Sequence, residues 1–106
     1  MQPVLLFLLA LSFLFSADGN KVKFVIKDGQ SNPIANASAT AIWKITPNLR
    51  THKSCITNNE GTCEVYGVPN QKDVIISGEA EGFTKKDGTI NVNGDTDAPL
   101  TLTRGR

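Results

Sequence analysis

Two cysteines and one histidine are the residues of this chain that could do nucleophilic or redox chemistry. Cys55 and Cys63 are the only cysteines among 106 residues, and the only histidine, His52, lies three positions before Cys55. A thiol nucleophile needs a base within hydrogen-bond reach, and a redox-active pair is typically Cys-x-x-Cys at a helix start. Cys55 and Cys63 are too far apart in sequence for a Cys-x-x-Cys pair, and one histidine with two paired cysteines cannot complete a zinc site. We therefore expect a structural disulfide, an exposed His52 and no catalytic residue.

The segment between the cysteines indicates how they would be positioned. Asn58-Asn59-Glu60-Gly61 contains residues that tolerate positive φ, and β-branched residues flank it on both sides. If Ile56 faces Thr62 across this turn, Cys55 and Cys63 lie opposite each other on the two strands of a hairpin. The expected disulfide then closes a short loop, which removes about 2.5 kcal/mol of unfolded-chain entropy.

Acidic residues offer two further kinds of chemistry. Asp87, Asp95 and Asp97 lie in or near polar turns and could supply oxygens to calcium, although the ligand density of a calcium loop is missing. Glu79 and Glu81 alternate at the end of a predicted strand and resemble the paired carboxylates of a glycosidase, but so small a domain has little room for a cleft. We expect solvated carboxylates, no metal and no cofactor.

Two surface features are candidates for modification or binding. Asn36-Ala37-Ser38 is an N-glycosylation sequon on the face opposite a row of alanines, so Asn36 is a predicted glycosylation site. Lys21, Lys23 and Lys27 lie on the first predicted strand, where charge on a sheet edge would discourage association between sheets. A patch that binds acidic glycans or lipids is the alternative for these lysines.

The beginning of the chain predicts export. Residues 1–16 carry no charged side chain and include an apolar run over residues 4–11, which suits a signal peptide and is too short to span a bilayer. The small residues Ala17 and Gly19 place cleavage between residues 16 and 19. Residues 1–19 are thus the predicted signal peptide and residues 20–106 a single secreted, extracellular domain without a membrane span. Outside the cell a disulfide persists.

The elements that must position these residues are strands. Val22, Phe24 and Ile26 alternate with mostly polar positions. Every second residue from Ala35 to Ile45 likewise lies on one apolar face, and Val74-Ile75-Ile76 is apolar on both faces. We predict strands over residues 21–27, 34–45, 74–80, 89–92 and 99–103, together with the two arms that carry the cysteines. Residues 46–50 and 67–73 are predicted loops. About seven strands without a helical period predict a single all-β, antiparallel β-sandwich.

The order of the turn signals carries a family resemblance. The signals are Asp28-Gly29, Pro33-Ile34, Thr57 to Gly61, Gly67-Val68-Pro69 and Ala80-Glu81-Gly82-Phe83. In this order they resemble the carboxypeptidase regulatory-like domain, a transthyretin-like (prealbumin-like) β-sandwich, over residues 21–103. Members of that family usually serve as accessory or structural modules of peptidases, surface proteins and transporters. The resemblance therefore implies a fold without a catalytic site.

These observations predict a protein that works through its surface. The formal net charge of +1 argues against nucleic acid as a partner. We expect a secreted, non-enzymatic β-sandwich that acts as an extracellular binding, structural or effector module, with an extracellular protein or glycan as its partner. Two alternatives stay open: a transthyretin-like oligomer that carries a small hydrophobic ligand, and a peptidase-associated regulator or inhibitor. The sequence leaves the oligomeric state open.

Overall fold

The computed structural model describes residues 19–105, so the predicted signal peptide lies outside the described residues except for Gly19. Eight strands and no helix occur in this part of the chain. The strands are β1 (Asn20–Asp28), β2 (Ser38–Thr46), β3 (Leu49–Ile56), β4 (Thr62–Val68), β5 (Gln71–Glu79), β6 (Phe83–Thr84), β7 (Lys86–Val92) and β8 (Thr96–Arg104). The predicted all-β class is confirmed.

The strands form two four-stranded sheets that pack face to face as a sandwich. One sheet has the order β4-β1-β8-β6 and the other the order β3-β2-β5-β7. All pairs are antiparallel except β1 and β8, which run parallel in the middle of the first sheet. The sequence signals did not indicate this parallel pair, because alternation within a strand carries no information about the direction of its neighbour.

The core lies between the sheets, where the predicted alternation places its apolar residues. Phe24 and Ile26 from β1 are fully buried, as is Ala39 from β2. Gly78 of β5 pairs with Ala39, and a Cβ built on Gly78 would lie 3.0 Å from Leu100 of the opposite sheet. Small residues on one sheet therefore make room for large residues on the other, which gives the close packing that protein interiors require.

The β2–β3 hairpin extends further than the sequence indicated. Residues 46–50 were expected to form a loop, but β2 continues to Thr46, which pairs with Leu49 after a two-residue turn. The pairing of β2 with β5 ends at Ile42 and Ile75, so the hairpin projects beyond its neighbour. The register of the β2–β3 pairing shifts between Lys44 and Thr46, and Ile45, expected inside with the alanine row, is 59% exposed there. The interpretation of residues 67–73 as a loop was also too long, since only residues 69 and 70 separate β4 from β5.

The cysteines are bonded, but they do not lie across a hairpin. Cys55 and Cys63 form a disulfide with their Cα atoms 5.9 Å apart. Cys55 lies on β3 and pairs with Ala39 of β2 in one sheet. Cys63 lies on β4 and pairs with Phe24 of β1 in the other sheet. The expected cross-strand register is therefore wrong, because β3 and β4 find their partners in β2 and β1 rather than in each other. The disulfide joins the edges of the two sheets.

The turn between these strands is fixed by Thr57, a polar side chain that is only 3% exposed. Its hydroxyl donates to the carbonyl of Ile34 at 2.7 Å and accepts from the N–H of Ala37 at 2.8 Å. Its own N–H and carbonyl bond to the backbone of Ala37 and Asn36. Every polar group of Thr57 is thus paired, and the turn is attached to the segment that leads into β2.

Gly61 ends the same turn, in contact with β1. Its φ of 76° favours glycine, and a Cβ there would lie 2.5 Å from the carbonyl oxygen of Ile26. Gly61 also accepts a hydrogen bond from the N–H of Ile26. Before it, the side-chain oxygen of Asn58 accepts from the N–H groups of Glu60 and Thr62. The spacing Thr57 to Gly61 is therefore set by contacts with both sheets.

We predict that the hydroxyl of Thr57 holds this crossing in place. Thr57→Val leaves a buried carbonyl and a buried N–H without partners, and it should lower the free energy of unfolding by about 2–4 kcal/mol. Thr57→Ser keeps the hydroxyl and loses a methyl group, so it should cost about 1 kcal/mol. Urea denaturation followed by Trp43 fluorescence measures both. Equal losses for the two variants would contradict a hydrogen-bonding role.

We also predict the contribution of the disulfide. The double variant Cys55→Ser, Cys63→Ser should keep the fold and lose about 2.5 kcal/mol of unfolding free energy, because its unfolded chain regains the entropy of an open nine-residue loop. Intact mass before and after alkylation of the denatured protein checks the bond itself. Two alkylated thiols in the non-reduced wild type, or an unchanged urea midpoint in the variant, would refute the assignment.

Candidate functional site

The residues that suggested nucleophilic chemistry point to opposite faces of β3. His52 pairs with Ile42 and is exposed on the outer face of its sheet, whereas Cys55 pairs with the buried Ala39 on the inner face. Both cysteines of the chain are consumed by the disulfide. The two sulfurs and the imidazole therefore do not form a nucleophile–base pair.

The acidic residues are also dispersed. Asp97 lies opposite Lys23 in one sheet, while Asp87 lies opposite Ser77 in the other, and Asp95 accepts a hydrogen bond from the N–H of Lys21 at 2.9 Å. No group of three or more potential metal-ligating side chains occurs within residues 19–105. Glu79, at the end of β5, and Glu81, in the turn that follows, are both exposed.

The lysines of β1 do not lie on an edge strand, so that expectation is wrong. β1 pairs with β4 on one side and with β8 on the other. Lys23 stands in register between Glu64 of β4 and Asp97 of β8, and Lys21 lies 3.8 Å from the Glu64 carboxylate. Neighbouring carboxylates thus offset the charges of Lys21 and Lys23.

Glu64 also accepts a short hydrogen bond from the hydroxyl of Tyr66. This bond favours the neutral phenol and raises the pKa of Tyr66 above its ordinary value of 10.0. At the edge of the sandwich where β3 and β4 meet, the ammonium of Lys53, a residue on the inner face of β3, donates to the carbonyl of Tyr66 on β4. Together with the disulfide, this bond links β3 to β4, and an inward-pointing lysine protects such an edge from pairing with another chain.

Asn36 lies at the end of the sandwich away from the β2–β3 hairpin. It is exposed in the turn before β2, with a φ of 62° that asparagine tolerates. The length of β2 separates it from the hairpin by about 30 Å, at about 3.3 Å per residue. Its side chain is accessible, as the sequon requires.

Two of the four large apolar side chains that are exposed within residues 19–105 lie at the hairpin, and the other two are Ile56 and Tyr66. Ile45 and Leu49, which flank its turn, are 59% and 54% exposed, and no strand of the described chain covers them. Ile56, at the far end of β3, is equally exposed at 60%. Sequence reasoning missed Ile45 and Leu49, because alternation predicted Ile45 as core, while Pro47 predicted a loop over residues 46–50 that includes Leu49. The apolar residues on either side of Thr46-Pro47-Asn48 were the available signal.

A groove of about 590 Å³ lies where the hairpin leaves the sheet. Its apolar lining residues are Ile42, Trp43, Ile45, Pro47 and Ile75. A second cleft of about 500 Å³, at the end of the sandwich, shares Ile45 with the groove. Ile45 is therefore accessible from two sides, and we refer to the groove together with Ile45 and Leu49 as the hairpin site.

Gln71 holds the hairpin at its base. Its side-chain oxygen accepts from the N–H of Lys44, and its side-chain nitrogen donates to the carbonyl of Lys44, both at 2.9 Å. The amide thus replaces a neighbouring strand at a point where β5 is irregular, with Asp73 at a φ of 58°. No sequence signal distinguished Gln71, because the bond depends on how far the hairpin projects.

The two packed sheets define the class of the protein as an all-β sandwich. Within residues 19–105 no helix is long and apolar enough to cross a membrane. The chain matches no family model and no curated protein.

Solved structures share the fold, a pilin and a dioxygenase among them. A streptococcal ancillary pilin aligns with a TM-score of 0.55 and 10% identity over 82% of this chain and 33% of the pilin. Chlorocatechol 1,2-dioxygenase from Pseudomonas putida aligns with a TM-score of 0.57 and 11% identity over 84% of this chain and 61% of the enzyme. This chain therefore spans less than two thirds of either protein, and at these identities the likeness shows the fold alone.

The hydrogen bond between Tyr66 and Glu64 yields a titration test. Tyr66 is the only tyrosine of the chain, so absorbance near 295 nm reports its ionisation alone. The wild-type midpoint should lie above 10.0, and Glu64→Ala should return it toward that value. Because the folded-state pKa is raised, this contribution to stability is present below pH 10 and is lost as the pH rises through the folded value. Identical midpoints would contradict the assignment.

Proposed function

We propose that this protein is a secreted, non-enzymatic binding module that contacts an extracellular partner through the hairpin site. The observation that carries the proposal is the exposure of Ile45 and Leu49 at a projecting tip. Keeping large apolar side chains in water forgoes about 25 cal/mol for each Å² that could be buried, and clustered exposed apolar residues mark interaction sites. A partner that covers this tip would recover that free energy.

The arrangement of polar residues supports a role without catalysis. The disulfide occupies both thiols, His52 lies on the outer face of β3, and the acidic residues are divided between two sheets. A reaction centre needs such groups within hydrogen-bond reach of one another and of a common substrate position. The hairpin site instead offers apolar and positively charged side chains on an accessible surface, which suits recognition.

Two features support an extracellular location. A disulfide persists in oxidising compartments, and the apolar segment over residues 4–11 is typical of a signal peptide. A pilin among the structural neighbours is compatible with that location. We include a glycan on Asn36 in the proposal, since its position about 30 Å from the hairpin would leave the hairpin site uncovered.

The resemblance to carboxypeptidase regulatory-like domains belongs to the same proposal. Its support is the turn from Thr57 to Gly61, where the threonine and the glycine each meet a specific structural need at the sheet crossing. An accessory module of that kind would act by positioning or recognising another protein. This expectation agrees with a function located at a surface rather than in a cleft.

A capture experiment with matched variants tests the proposal. The protein is expressed from its full sequence with a C-terminal tag, purified from the medium and used to capture proteins from the extracellular fluid of its source. Ile45→Ser with Leu49→Ser should reduce the captured partner at least tenfold, because two buried apolar contacts are lost. Ile56→Ser, an equally exposed isoleucine at the other end of β3, should leave capture unchanged.

The outcomes separate the alternatives. Equal capture by the wild type and the double variant would refute the hairpin site. A stable oligomer of the wild type that the same substitutions dissociate, without a captured partner, would favour the oligomeric carrier. A captured peptidase whose activity changes on binding would identify a regulator or inhibitor. Circular dichroism of both variants verifies that the fold is kept.

A further inference from the structure

The groove beside the hairpin has positive charge around an apolar floor. The floor is formed by Ile42 and Ile75, which pair with each other on the outer face of their sheet. Four charged residues line the groove, and three of them are cations: Lys44, Arg50, Lys72 and Asp73. Lys44 and Arg50 pair across the hairpin, while Lys72 comes from the start of β5. The cations therefore approach the floor from two different elements.

Lys21 of β1 lies close to a carboxylate, whereas the acidic residue that lines the groove with these cations is Asp73 alone. In the part of the chain that the structure describes, the ion pair within 4.0 Å is that between Lys21 and Glu64 on the other sheet. No carboxylate of residues 19–105 lies that close to Lys44, Arg50 or Lys72. The bonds of Gln71 to the backbone of Lys44 fix the strand that carries this positive charge. The protein's charge of +1 is thus unevenly distributed, with an excess at the hairpin.

The shape of the groove favours a peptide over an acyl chain. A groove on the outer face of a sheet, with three cationic side chains and one acidic side chain along it, cannot surround an aliphatic ligand as an enclosed pocket does. An extended peptide places successive side chains at intervals of about 3.3 Å on alternate faces. Such a peptide could set apolar side chains on Ile42 and Ile75 while its carboxylates reach the rim. The planar guanidinium of Arg50 can donate two parallel hydrogen bonds to one carboxylate.

We propose that the hairpin site binds an acidic peptide segment of an extracellular protein, one that also carries large apolar side chains. This inference rests on the proposed function and specifies the chemistry of the partner. The apolar floor provides the contact area, and Lys44, Arg50 and Lys72 select against neutral and basic segments. Because all three cations are exposed, binding weakens as salt screens them.

Selection from a random peptide library tests the partner's chemistry. Displayed twelve-residue peptides are selected on the immobilised protein, and enriched sequences are synthesised for titration by fluorescence anisotropy. The enriched peptides should combine Asp or Glu with Leu, Ile, Phe or Trp, and replacing their acids by Asn or Gln should weaken binding about tenfold or more. Raising NaCl from about 50 mM to about 0.5 M should weaken binding several-fold.

A pair of charge-reversal variants locates the binding. Arg50→Glu with Lys72→Glu should weaken the enriched peptides at least tenfold. The control is Lys85→Glu with Lys86→Glu, which makes the same change in net charge on exposed residues outside the groove and should leave their affinity within about twofold. Amide shifts of the labelled protein on peptide addition should centre on Lys44, Gln71 and Thr89.

The inference fails if no peptide is enriched, if the enriched peptides lack acidic residues, or if the two charge-reversal variants bind them equally well. It also fails if vesicles containing phosphatidylglycerol bind the groove while acidic peptides do not. These failures are distinguishable from failure of the proposed function. Suppose that the Ile45, Leu49 double variant loses its partner while the Arg50, Lys72 double variant captures it unchanged. The proposed binding function would then stand, and the proposal of an acidic peptide partner would be refuted.

Discussion

The structure depends on how the chain passes from one sheet to the other between β3 and β4. Thr57 satisfies all its polar groups on the segment that leads into β2, and Gly61 contacts the backbone of β1, so this turn is tied to both sheets. The Cys55–Cys63 disulfide joins the same two strands beside it. A domain of this size buries only a modest fraction of its surface, and a fixed crossing compensates for its small core.

Closing one edge of the sandwich has a consequence for the hairpin. The disulfide and the bond from Lys53 to the carbonyl of Tyr66 link β3 to β4, so β3 is held at one end while its other end continues past the sheet. Gln71 supports the base of that extension by bonding to the backbone of Lys44. The exposed Ile45 and Leu49 are therefore presented on a supported element rather than on a loose loop. A preorganised surface loses less entropy on binding.

Charge distinguishes the two outer faces of the sandwich. On the sheet that contains β1, Glu64 and Asp97 flank Lys23, so a basic run in the sequence becomes a compensated face in space. On the other sheet, Lys44, Arg50 and Lys72 are far apart in sequence but line one groove with a single acidic neighbour, Asp73. Residues that are contiguous in sequence are thus poor guides to surface potential, because sheet pairing determines which charges become neighbours.

The sequence by itself determined the all-β class, the buried faces of β1 and β2 and the identity of the cysteine pair, because alternation and turn chemistry are local properties. The tertiary structure decided that β1 is central, that β1 and β8 run parallel, and that the disulfide joins two sheets instead of two strands of one hairpin. It also decided that Ile45 is exposed, because the pairing of β2 with β3 shifts register between Lys44 and Thr46, and β2 there runs past its pairing with β5, which ends at Ile42. Partners across a sandwich are set by non-local packing, which no single strand encodes.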